Sequence, residues 1–161
     1  MSSLFQTILV GIGATITMDV YSFILNAFGI KTLNYKFLGR WIGHFFNGKF
    51  SHHTIFTAPS IKHEHIIGWV AHYAIGITFA LFLVLFFGKK WLENPTFSPA
   101  LIIGIITVIA PFFFMQPAFG LGIAASNTPH PIKAQIMSLI THAVFGFGLF
   151  LSAKILSILV K

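Results

Sequence analysis

Four uninterrupted apolar runs, Leu4 to Phe28, Ile66 to Phe87, Pro99 to Ile123 and Ala134 to Val160, take up most of this chain. Each is near or above the roughly 20 residues that an α-helix needs to cross the hydrocarbon core of a bilayer. In lipid every backbone N–H and C=O has to be satisfied within the segment, so runs of this length fold as helices. The composition agrees. Only 8% of the 161 residues are Asp, Glu, Lys or Arg, against about 25% in soluble domains, and so few charges cannot cover a water-facing surface. The expected fold is all-α: a polytopic transmembrane four-helix bundle forming one integral membrane domain over residues 1–161. Leu4 onward reads as a retained first helix, because no basic region followed by a small-residue cleavage site precedes it.

Ten basic and three acidic side chains give a net charge of +7. No basic run lies in a recognisable nucleic-acid-reading helix or aromatic strand pattern, so no nucleic acid partner is expected and the positive charge is assigned to anionic lipid headgroups. Membrane lipids are the expected partners, and transport by only four spans would imply a homo-oligomer. With no cysteine, disulfides and thiolate metal sites are excluded.

The longest connection, Gly29 to His65, carries Lys31, Lys36, Arg40, Lys49 and Lys62 together with His44, His52, His53, His63 and His65. Within it Tyr35 to Phe46 alternates aromatic and aliphatic residues with Lys36, Arg40 and His44, the pattern of an amphipathic interfacial helix whose apolar side lies against the membrane. With Lys133, this face has six Lys or Arg residues against four on the other, Lys89, Lys90, Lys154 and Lys161. The positive-inside rule therefore places the long loop in the cytoplasm.

Inside the spans, polar and small residues form stripes. Thr7, Gly11, Thr15, Asp19, Ser22 and Asn26 occupy one face of the first helix, and Asp19 is the only acidic residue in any expected span. A carboxylate at that depth is protonated, paired or turned toward a cavity. Gly68, His72 and Gly76 in the second run recur as Ser138, His142 and Gly146 in the fourth. Small residues one turn either side of an imidazole let a neighbouring helix or a ligand approach. Packing and a shared ligand, proton or metal site both fit this repeat. Met18 and Asp19 also match Met115 and Gln116, which raises a duplicated helical hairpin. In the third run Pro111 and Pro117 free carbonyls one turn back, and Gln116 between them requires a polar partner.

Several chemistries could use these groups. Asp19, His72 and His142 are the candidate catalytic residues, as proton donors and acceptors toward a lipid or quinone, or as proton carriers in transport. His44, His72 and His142 are the candidate metal ligands, with Asp19 able to complete a nitrogen and oxygen set. His72 and His142 on separate helices could also supply the axial ligands of a b-type haem. His52 with His53, and His63 with His65 around Glu64, have the wrong spacing for two rings to converge on a helix. A structural or assembly partner would need none of these groups to meet. No cofactor is specified.

The segments GIGATITMD (Gly11 to Asp19), NYKFLGRWIGHFFNGKFSH (Asn34 to His52), GWVAHYAIG (Gly68 to Gly76), PFFFMQPAFGLGIAASNTPHP (Pro111 to Pro131) and THAVFGFGLF (Thr141 to Phe150) together resemble a family of small bacterial inner-membrane proteins described only as a domain of unknown function. The resemblance implies a single four-helix membrane domain and brings no activity with it. Its segments coincide with the polar groups reached from spacing, which makes Asp19, Arg40, His44, His72, Gln116, Asn127 and His142 the candidate ligand-binding residues. The leading expectation is a small polar, lipid-like or metal ligand in an intramembrane polar pocket. The alternative is a membrane-embedded enzyme using an Asp/His pair.

Overall fold

A computed structural model describes residues 1–160, all of whose regular elements are helices; Lys161, counted above in the charge balance, lies outside the described residues. The helices are α1 (Ser3–Ala27), α2 (Lys36–His44), α3 (Glu64–Phe87), α4 (Lys90–Glu93), α5 (Phe97–Ile106), α6 (Gln116–Ala118) and α7 (Pro131–Leu159). Four stretches are long and apolar enough to cross a membrane: Ser3–Ala27, Glu64–Phe87, Phe97–Ala118 and Pro131–Leu159. Only 22–28% of the most apolar window of each is buried within the protein, so the rest of each span is free to meet acyl chains. The protein is an all-α, multi-pass membrane protein.

The third span stops earlier than its hydropathy predicts. Pro111 cannot donate to the helical ladder, and Pro111–Met115 forms a π-helical turn, a device that single insertions into α-helices often produce at functional sites. After α6 the chain turns out of the helix at Gly120 (φ 84°) and Gly122 (φ 74°), left-handed conformations that glycine adopts without a Cβ penalty. The span therefore ends at Ala118, and the apolar residues up to Ile123 belong to the following loop.

By backbone contacts the chain forms two compact units, one of residues 1–31, 73–107 and 139–161, the other of residues 32–72 and 108–138. The first has an apolar core of Val10, Ala14, Ala80, Leu83, Trp91, Leu92, Ala100, Ile103, Phe145, Leu149 and Ala153. Its helices meet through their smallest residues. A Cβ added to Gly104 would stand 2.5 Å from Gly146 Cα, and one on Gly148 would stand 2.9 Å from Ala14 Cα. The small-residue spacing read from the sequence works here as a backbone contact surface.

The second unit is built around the long loop. Its backbone is clipped to the end of the third span by His52 N–H to Ala118 O (2.9 Å) and Ile55 N–H to Phe119 O (3.1 Å), and Ile55 and Phe119 are fully buried. Helix α2 lies against the start of α3. A Cβ on Gly39 would collide with the Glu64 carbonyl, and one on Gly68 with the Tyr35 carbonyl. The side of α2 that is buried in the protein holds Leu38, Gly39, Arg40, Gly43 and His44, and Phe46 just beyond it is 91% exposed. The polar residues turn inward because each finds a partner there.

Candidate functional site

Arg40 is the centre of the buried polar region in the second unit. Its Nε and Nη2 donate to the two carboxylate oxygens of Glu64, both at 2.8 Å. Its Nη1 donates to the carbonyls of Ile55 (3.2 Å), Phe56 (3.3 Å) and Ala58 (3.0 Å). The Ile61 N–H adds a bond to Glu64 Oε2 at 3.1 Å. A planar guanidinium with five donors suits this double task, gripping a carboxylate while gathering carbonyls of an irregular segment. The hydrogen bond to Glu64 raises the pKa of Arg40 further above its ordinary value. The ion pair thus folds Ile55 to Ile61 around itself, and its charge is compensated internally.

Beside it, His44 Nδ1 lies 2.5 Å from His52 Nε2, and His44 Nε2 lies 3.1 Å from the carbonyl of Pro59. Both rings are buried and lie nearly parallel, 30° apart. Gly48, at φ 68°, turns the chain between them. Burial, with help from His44 and Lys49, pushes the pKa of His52 down, so the ring stays neutral at physiological pH.

Two buried side-chain atoms among the described residues have no hydrogen-bond partner: His52 Nδ1 and Gln116 Oε1. Both belong to the second unit. The residue backbone that His52 pairs with, Ala118, is two positions after Gln116 on the same short helix. Gln116 Nε2 reaches Ser138 Oγ at 3.4 Å, which leaves the amide oxygen as the unfilled end. Buried polar groups are almost always paired, so each of these two atoms is an exception within the second unit.

The remaining sequence candidates are each held by their own neighbours. Asp19 accepts from the Tyr73 hydroxyl at 3.0 Å, linking α1 to α3. His72 stacks on Tyr35, with ring centroids 3.9 Å apart. His142 Nδ1 lies 2.9 Å from Thr107 Oγ1, whose own hydrogen goes to the Gly104 carbonyl at 2.6 Å. That hydroxyl has only one proton to give, so it accepts from His142, which is therefore the Nδ1–H tautomer. Asn127 closes the loop after the third span through its N–H to Leu121 O at 2.8 Å. A shallow cavity lined by Gln6, Val10, Leu92, Ala153, Leu156 and Ser157 includes none of these residues. Among the described residues no group of three or more His, Cys, Asp or Glu side chains is arranged to hold a metal ion.

Sequence reasoning selected Arg40, His44 and Gln116 and missed Glu64, His52 and Ser138 as their partners. Glu64 was legible in principle: it is the only acidic residue between Val20 and Gly88, and a buried Arg40 requires an acid. His52 was discarded for diverging from His53, yet its partner is His44, across the turn at Gly48.

No curated protein and no solved structure matches the chain. A family model described as a protein of unknown function, DUF2938, matches residues 8–156. That match runs from within the first membrane helix to within the last and takes in the whole second unit, and the chain belongs to the DUF2938 family.

Proposed function

We propose that this protein binds a small polar or lipid-like ligand at the buried polar cluster of its second unit, in the bacterial inner membrane with the long loop on the cytoplasmic side. The observation that carries the reading is the pair of orphaned atoms, His52 Nδ1 and Gln116 Oε1. Each costs about 1–3 kcal/mol when left without a partner, and a ligand that supplies the partner recovers that loss. In the same unit Arg40, Glu64 and His44 are already used on one another and on the backbone. His44 holds the His52 ring directly, and a group fixed before binding lowers the entropic cost of binding. The orientation is supported by the lysines at positions 31, 36, 49 and 62 on the loop.

Native mass spectrometry of protein released from detergent micelles tests the binding. The wild type is expected to carry a bound small molecule or lipid that His52→Phe and Gln116→Leu lose while keeping wild-type helix content by circular dichroism. A wild type with no retained mass, or variants that retain it equally, overturns the reading. Because the chain has no cysteine, Ser51→Cys labelled from one side of sealed vesicles reports the orientation, and labelling from the periplasmic side alone refutes it.

A further inference from the structure

The histidine pair does more than leave an atom unfilled: its geometry decides which kind of atom is offered. A carbonyl only accepts, so the nitrogen facing Pro59 O, His44 Nε2 at 3.1 Å, carries a hydrogen. In a neutral ring His44 Nδ1 is then a bare lone pair. His52 Nε2, 2.5 Å away, must donate to it. The tautomer of His52 follows, with its hydrogen on Nε2 and a lone pair on the buried Nδ1. One carbonyl thus sets two rings in series.

From this we infer that the ligand is a hydrogen-bond donor, a hydroxyl or amide N–H group presented to His52 Nδ1, and that carboxylate and phosphodiester oxygens are rejected at this atom. The inference rests on the binding reading above for the existence of a ligand, and on the Pro59–His44–His52 chain alone for its polarity. A carboxylate or phosphodiester oxygen brings only lone pairs and would face another. The surrounding charge narrows the class further. Arg40 and Glu64 pair with one another, the Lys49 cation opposes further positive charge at His52, and no Asp, Glu, Lys or Arg lies between Val108 and Pro131. That charge pattern favours a neutral donor over an ammonium. Hydroxyls occur both in free polyols and in glycerol-bearing lipid headgroups, and the chemistry at His52 Nδ1 is the same for both.

Histidine-selective ¹⁵N NMR of the full chain in detergent tests the polarity first, in the wild type, so that it does not depend on a variant folding. At pH 8 both His44 and His52 should show a protonated Nε2 and a bare Nδ1; a protonated Nδ1 on His52 overturns the inference whether or not a ligand exists. Glycerol should then move the His52 Nδ1 signal saturably, and acetate, which has no proton to donate at pH 8, should leave it in place. A saturable shift with acetate instead overturns the donor class. If glycerol has no effect, vesicles of phosphatidylglycerol compared with phosphatidylcholine form the second arm. A shift only with phosphatidylglycerol identifies the source as a headgroup hydroxyl. No shift in either arm, with the tautomers as stated, removes the binding reading and with it the ligand class assigned here.

Discussion

The two compact units solve the problem of burying polar atoms in opposite ways. In the first, residues 1–31, 73–107 and 139–161, polar side chains bond within their own helix or to one neighbour: Thr15 Oγ1 to Gly11 O at 2.8 Å, Thr107 to Gly104 O and His142, Tyr73 to Asp19. Helix contact there runs through glycine and alanine backbones. In the second, residues 32–72 and 108–138, a bidentate ion pair between α2 and α3, a histidine pair and carbonyls of the irregular Ile55 to Pro59 segment carry the buried polar bonds. The first unit spends its small residues on close packing, and among the described residues no buried side-chain polar atom in it lacks a partner. The second is stitched by charge-assisted bonds and leaves two buried atoms, His52 Nδ1 and Gln116 Oε1, without one.

The comparison is broken most severely by removing one half of the ion pair. Arg40→Met leaves the Glu64 carboxylate buried without its cation and strips three loop carbonyls of a donor, which costs on the order of 3–5 kcal/mol. It should collapse the second unit, seen as a lower midpoint in detergent-based unfolding and loss of protection in the Ile55 to Ile61 amides by hydrogen exchange. The double variant Arg40→Met with Glu64→Gln should recover part of the loss; if it does not, the ion pair is not what orders that loop.

Next in size, Gly104→Ala tests the packing of the first unit. The added methyl would lie 2.5 Å from Gly146 Cα and 2.6 Å from the His142 carbonyl, both backbone atoms that cannot rotate away, and overpacking of this kind costs about 1–3 kcal/mol. The amides of Ile55 to Ile61 should keep their protection while those of α5 and α7 lose theirs. Equal loss in both would show that the two units do not respond separately.

A smaller effect follows from pH. The pKa of His52 is lower in the folded chain than the ordinary histidine value near 6.5, so the unfolded chain binds the proton more readily. The stability of the second unit is therefore full above that ordinary value and is lost as pH falls through the depressed folded one. Thermal unfolding of the wild type should weaken between pH 7.5 and 5, and His52→Asn should flatten the dependence. A profile unchanged by His52→Asn assigns the proton elsewhere. The smallest expected effect is Tyr73→Phe, which removes the hydroxyl bound to Asp19 and costs about 1 kcal/mol, confined to the first unit.

The spans were legible because lipid imposes a length and a composition on any helix that crosses it, and both can be counted along the chain. Small-residue seams at Gly68, Gly76 and Gly146 were legible for a similar reason, since a residue without a side chain three or four positions from another admits a backbone whatever surrounds it. The end of the third span was not, because the apolar run continues past the point where Gly120 and Gly122 turn the chain. Nor were the partners of the polar residues on α2: Arg40 meets Glu64, 24 residues away, and His44 meets His52, pairings that an amphipathic pattern does not specify.

By itself the sequence determined an all-helical membrane protein with four spans, an excess of positive charge and a handful of polar residues too costly to bury alone. Which of those residues meet was decided only in three dimensions. Hydropathy and spacing act along one helix at a time, whereas the Arg40–Glu64 pair, the His44–His52 pair and the open ends of His52 and Gln116 arise where a loop folds back on a broken span. Hydrogen bonding is directional and falls away within a few tenths of an ångström of its proper length, so its partners are chosen by tertiary placement and not by composition.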